Sequence, residues 1–118
     1  MGKTDLTGNV AGISLRSTGL IVGTVASGTV GYFNRTTSDG TILDFRKDNV
    51  AVGSIGVINS NNLTIGSSTS NHSGLQFGTA VITPMRAGAE SDAAIDIGFS
   101  NARFKDLYLS GNAVIGGN

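Results

Sequence analysis

The chain has 118 residues, no cysteine and a formal net charge of zero, with eight basic residues balancing eight acidic ones. That length is one domain's worth; the lack of cysteine excludes disulfides and thiolate metal sites, and the balanced charge leaves no basic footprint for nucleic acid or anionic lipid. No run approaches the ~18 apolar residues of a membrane span, and 18 glycines with only 14% charged residues mark a glycine-rich, charge-poor chain.

Glycines at 8, 12, 19, 23, 28 and 31 break the first third into short apolar–polar stretches at 13–15, 20–22, 24–26 and 29–30. None carries an i, i+3, i+4, i+7 pattern, so strands and turns are predicted. Residues 32–37 and 41–45 flank Ser38-Asp39-Gly40, and Asp-Gly between alternating runs predicts a hairpin. Lys47-Asp48-Asn49 is the next predicted turn. Strands at 50–52 and 55–57, interrupted at Gly53, lead to a turn at 59–62 and a strand at 63–65. Residues 67–73 contain no apolar side chain and read as a surface loop. Pro84, without an amide donor, is expected to end the strand 80–82, with a loop at 87–92 after it. Three last short strands are predicted at 95–97, 107–109 and 113–115. Between them, Ser100-Asn101-Ala102-Arg103 can cap and start a single helical turn within residues 100–105.

One pattern recurs along the chain: apolar, any residue, apolar, glycine, at 20–23, 50–53, 63–66, 75–78, 95–98 and 113–116. Each copy is a three-residue strand with two side chains on one face, stopped where the backbone needs glycine's freedom. The irregular spacing excludes a fixed-period solenoid. It suits a fibre in which short strands bury one face toward an axis. Three chains around that axis would close the core and leave no free sheet edge.

Few residues suggest chemistry. His72 is the sole histidine and lies in the polar loop, so an exposed position is expected rather than a base or a metal ligand shared with its copies at a three-fold axis. Ser38-Asp39 and Ser91-Asp92 pair a hydroxyl with an acid, yet both have sufficient reasons to be turns. Asp44, Asp48 and Asp106 have basic neighbours in Arg46, Lys47 and Lys105, which predicts local ion pairs rather than a glycosidase pair. Asp92 and Asp96 have no such neighbour, and Asp96 alternates with two isoleucines. Glycines 53 and 56 do not make a phosphate loop, because no GK[ST] follows. The aromatic residues Tyr32, Phe33, Phe77, Phe99, Phe104 and Tyr108 sit in strand-like runs and are expected in the core. Polar tips on a rigid scaffold commonly carry binding, so Asn59, Asn61 and Asn62 in one turn, and Ser70, Asn71 and His72 in the other, are the candidate receptor contacts. No catalytic, cofactor or metal residue is expected.

The final stretch IDIGFSNARFKDLYLSGNAVIGG, residues 95–117, resembles the segment of bacteriophage tail fibres and tailspikes that precedes an endosialidase-type intramolecular chaperone domain. The similarity extends through NRTTSDGTILDFRKDNVAVGSIGV at 34–57, then Gly74-Leu75-Gln76-Phe77-Gly78 and Ile82-Thr83-Pro84, so it covers roughly residues 30–117. It implies a single all-β tail-fibre domain over residues 1–118, its short strands intertwined as a homotrimer of triple β-helix or β-prism type. The chaperone would have followed Asn118 in a precursor. The implied role is structural and adhesive, in the virion, with other fibre segments and a host surface polysaccharide or protein receptor as partners. It is not an enzyme on this reading. The alternative is a piece of a polysaccharide-degrading tailspike, non-catalytic by itself or contributing to a cleft between chains.

Overall fold

The computed structural model describes residues 11–116; the predicted turn at Gly8-Asn9 and the glycine at 117 lie outside the described residues. Every regular element is a strand, in two antiparallel sheets. β1 (Gly12–Leu15) and β2 (Ile21–Thr24) form a small hairpin. β3 (Gly40–Lys47), β4 (Val50–Ile58), β5 (Asn62–Gly66), β6 (Ser73–Gly78), β7 (Val81–Arg86) and β8 (Ala89–Glu90) form a six-stranded meander in sequence order.

The connections follow from local chemistry. Asp48 and Asn49 both adopt positive φ (50° and 65°), as do Ala87 and Gly88 (52° and 83°). Two-residue turns of that hand match the twist of the strands they join. Between β4 and β5, Asn59 and Ser60 do the same (52° and 70°).

Several expectations are corrected. The hairpin predicted at Ser38-Asp39-Gly40 does not form, because residues 32–37 take no strand and β3 begins at Gly40. β3 pairs forward with β4 instead, across the predicted Asp48-Asn49 turn. β4 runs through Gly53 without interruption. Pro84 does not end its strand. Its carbonyl accepts from the Ser91 amide at 3.0 Å, so in an antiparallel ladder its nitrogen also points away from β6, and the missing N–H costs no rung to β6, only the return bond to Ser91 just beyond β8. The helical turn at 100–105 is replaced by a tight hairpin bend. Phe99 and Ala102 exchange amide–carbonyl bonds of 2.8 and 3.0 Å, which fixes Ser100 and Asn101 as its corners. The stretches 95–97, 107–109 and 113–115 form no strand, since no neighbouring strand within the chain pairs with them.

The six-stranded sheet curls into a half-barrel. Two register shifts, at Ile42 in β3 and Val52 in β4, add the local twist expected of bulges. Curling brings the start of β3 so close to β4 on the concave side that a Cβ on Gly56 would lie 2.6 Å from the Gly40 carbonyl oxygen. Further along, β5 and β6 approach so closely that a Cβ on Gly74 would lie 2.9 Å from Gly66 Cα. Only glycine allows that proximity.

Packing does not produce a core. Met85, 5% exposed, is the one buried large apolar side chain among the described residues, and twenty-five others are exposed. All seven aromatics are among them, including the six expected to pack inside. The chain has a radius of gyration of 18.9 Å and extends 62 × 33 × 32 Å, whereas a compact chain of this length has ~13.5 Å.

Candidate interaction surface

The ladder of the meander sorts its side chains into two faces. On the convex face, Leu43, Ile55, Ile65, Leu75 and Pro84 are successive cross-strand partners. A parallel row runs Val57, Leu63, Phe77, Ile82. Every member is apolar, and the centre of the surface is open: Leu63, Ile65 and Leu75 are 44–47% exposed and Ile82 63%.

The concave face is the reverse. Thr41, Gly56, Thr64, Gln76 and Thr83 form one row, and Asp44, Ser54, Gly66, Gly74 and Met85 the other. Gln76 is 3% exposed although its neighbours Leu75 and Phe77 are open to solvent. Its Nε2 donates to Glu90 Oε1 at 2.8 Å, while its Oε1 and the Thr83 hydroxyl have no hydrogen-bond partner. A groove of about 280 Å³ runs along this side, lined by small and hydroxyl-bearing residues, with Asp39 its sole acid.

The two candidate contact turns are separated. Asn59, Asn61 and Asn62 lie at one end of β5, and Ser70, Asn71 and His72 at the other. Five residues of strand put ~13 Å between those ends, so the structure does not bring the turns together. At the first end, the Ser60 amide donates to Asp39 Oδ2 at 3.1 Å, which ties the entry of β3 to the β4–β5 turn. At the other, Arg86 Nη2 donates to Asn71 Oδ1 at 2.9 Å, and the Ala87 amide donates to the His72 carbonyl at 3.1 Å. His72 is exposed, as expected for its loop.

The acids are dispersed. Asp44 pairs with Arg46 at 2.7 Å, Asp48 with Lys47, and Asp106 with Lys105 at 3.7 Å, all at the surface and as the sequence predicts. Ser38 and Asp39 do not act on one another. Arg35 donates to the Ser38 hydroxyl at 3.0 Å and to the Ser38 carbonyl at 2.8 Å, whereas Asp39 receives the Ser60 amide. Among the described residues, no three His, Asp or Glu side chains converge in a way that could hold a metal ion.

The segment 95–104 runs beside the convex face. A cavity of about 760 Å³ separates Leu75, Ile82 and Pro84 from Ile95, Ile97 and Phe104, with Asp96 at its edge. Beyond it, Leu107, Tyr108, Val114 and Ile115 are 81–94% exposed.

What this arrangement can do is bury surface. A pair of rows of uncharged, branched and aromatic side chains has no means of polarising a bond, but it gives a large apolar area for another surface to cover. The buried Gln76 and the inverted faces were missed in sequence, where the alternation in LTIG and LQFG reads as an ordinary half-buried strand. The signal available was glycine at 56, 66 and 74, which marks the crowded side. Comparison with protein-family models, with curated proteins and with solved structures returned no match.

Proposed function

We propose that this chain is a structural and adhesive segment of a bacteriophage tail fibre, assembled as a homotrimer in the virion. The observation that carries the reading is the exposure of twenty-five large apolar side chains, seven aromatics included, beside a single buried one. A fold in this condition is completed by other chains, because one curled sheet cannot bury a face without a second layer. The accessible surface is 9932 Å², against ~6,000 Å² for a compact protein of this mass. That surplus lies in the range that obligate assemblies bury. The all-β, elongated form suits a fibre, and intertwining of the unpaired stretches 95–97, 107–109 and 113–115 with neighbouring chains would supply the strands they lack. The role is non-enzymatic on this reading: the acids are dispersed over strands and turns, with Asp39 alone in the groove, and glycoside hydrolysis needs a facing pair. The turns at 59–62 and 67–73 would meet the host surface, on opposite ends of the sheet.

The test is a denaturing gel of the purified chain with and without boiling, run beside a turnover assay on bacterial capsule and lipopolysaccharide. A detergent-resistant band that collapses on boiling, with no turnover, is the expected pair of results. Migration as a single chain before boiling would remove the fibre reading. Release of reducing sugar would favour the tailspike alternative.

A further inference from the structure

We propose that copies of this chain meet through the convex face of the six-stranded sheet, and that the concave groove stays open to solvent. This rests on the homo-oligomeric reading above and adds its orientation. A curled sheet ordinarily encloses its core on the inside. Here the inside is crowded at its glycines: a Cβ on Gly56 would lie 2.6 Å from the Gly40 carbonyl oxygen and one on Gly74 2.9 Å from Gly66 Cα, so these positions cannot carry the side chains a core would need. Its rows are threonine, serine, glycine and glutamine with Asp44 at one end, and Met85 is already buried among them.

The convex rows have the opposite character. From Leu43 to Pro84 and from Val57 to Ile82, nine positions on five strands carry no charge and no hydrogen-bonding side chain. An apolar surface continuous over five strands, open at its centre, is the kind of patch that marks an interaction site. A second copy is the occupant that fits. The chain has zero net charge, so like copies do not repel. The two rows have no charged group with which to select an unlike partner, and the only charged residue lining the cavity beside them is Asp96. The chain as a whole exposes ~3,900 Å² more than a compact chain of its mass, enough for a permanent assembly rather than a passing contact. The cavity bounded by Leu75, Ile82, Pro84, Ile95, Ile97 and Phe104 leaves room beside the rows for side chains of the neighbouring copy.

The absence of cysteine gives a direct test. Single variants Ile65→Cys and Leu75→Cys on the convex face, Thr64→Cys on the concave face and Ser60→Cys in a turn are labelled with a maleimide under native conditions. Light scattering and circular dichroism are recorded on each. In the assembled protein, Ile65→Cys and Leu75→Cys are expected to label at least ~50-fold more slowly than Ser60→Cys, as for groups reached only by opening. Thr64→Cys is expected to label within a few-fold of the turn. Should a convex variant stay β-structured but fail to assemble while Thr64→Cys assembles, the interface is likewise located on the convex face. An assembled protein whose convex cysteines label as fast as Ser60→Cys overturns the orientation and leaves the oligomer standing. Convex cysteines protected in a 12.0 kDa monomer would assign the cover to the chain's own segments and overturn the proposal. An unprotected monomer would overturn it together with the fibre reading.

Discussion

Replacing Gly56 by alanine tests the curl of the half-barrel, on which the distinction between the two faces depends. Gly56 is buried on the concave side, and an added Cβ would lie 2.6 Å from the Gly40 carbonyl oxygen and 3.1 Å from Thr41 Cα. The closer contact is about 0.9 Å inside the ~3.5 Å at which non-bonded heavy atoms rest. Both obstacles are backbone, so no side chain can rotate away. Either β3 moves outward and loses its Thr41–Gly56 register, or β4 distorts. Overpacking of this kind costs about 1–3 kcal/mol. Alanine also restricts the unfolded chain, which returns ~0.4–1 kcal/mol, so a net loss of about 1–2 kcal/mol is expected. For a chain of this length that is a fall in Tm of ~4–8 °C. The assay is thermal denaturation by circular dichroism at one fixed protein concentration, since assembly makes Tm concentration-dependent. Gly111→Ala is the control, because nothing lies within 4 Å of the added methyl group. A Gly56→Ala protein that melts at or above the parent would refute the close approach of β3 to β4 at Gly56.

Further perturbations separate the polar contacts. Glu90→Ala removes the partner of the buried Gln76 amide and is expected to lower stability by ~1–3 kcal/mol in urea unfolding. Gln76→Leu, which removes the buried amide altogether and leaves Glu90 to solvent, should stay within about 1 kcal/mol of the parent. Arg35→Ala deletes hydrogen bonds to the Ser38 carbonyl, the Ser38 hydroxyl and the Thr41 carbonyl. Because all three are exposed, a loss of only ~1 kcal/mol is expected by thermal melting. The three ion pairs are at the surface, so raising salt from 0.1 to 1 M should change stability by less than ~1 kcal/mol and leave the assembly mass unaltered.

The strand-and-turn character was legible in the sequence, and so were the Asp48-Asn49 turn, the Asn59-Ser60 turn and the local ion pairs, because each depends on residues a few positions apart. Asp39-Gly40 misled because a hairpin needs a strand on both sides. Residues 32–37 instead supply Arg35, which holds the Ser38 and Thr41 carbonyls. Pro84 misled because its nitrogen faces away from β6, toward the side where β8 is only two residues long, and that direction depends on register. The inversion of the faces was the least legible. Alternation in β5 and β6 says that Leu63, Ile65, Leu75 and Phe77 share a side, but it does not say which side is concave. That is decided by long-range approaches at Gly40–Gly56 and Gly66–Gly74. The stretches 95–97, 107–109 and 113–115 have strand-like residues but pair with no strand among the described residues, and pairing is what alternation alone does not reveal.

The central claim is that one copy of this chain is an incomplete fold, and the absolute mass of the purified protein by light scattering tests it most directly. The account predicts three times 12.0 kDa, about 36 kDa, unchanged on dilution through the micromolar range. A folded species of 12.0 kDa with its aromatics open to water would contradict it.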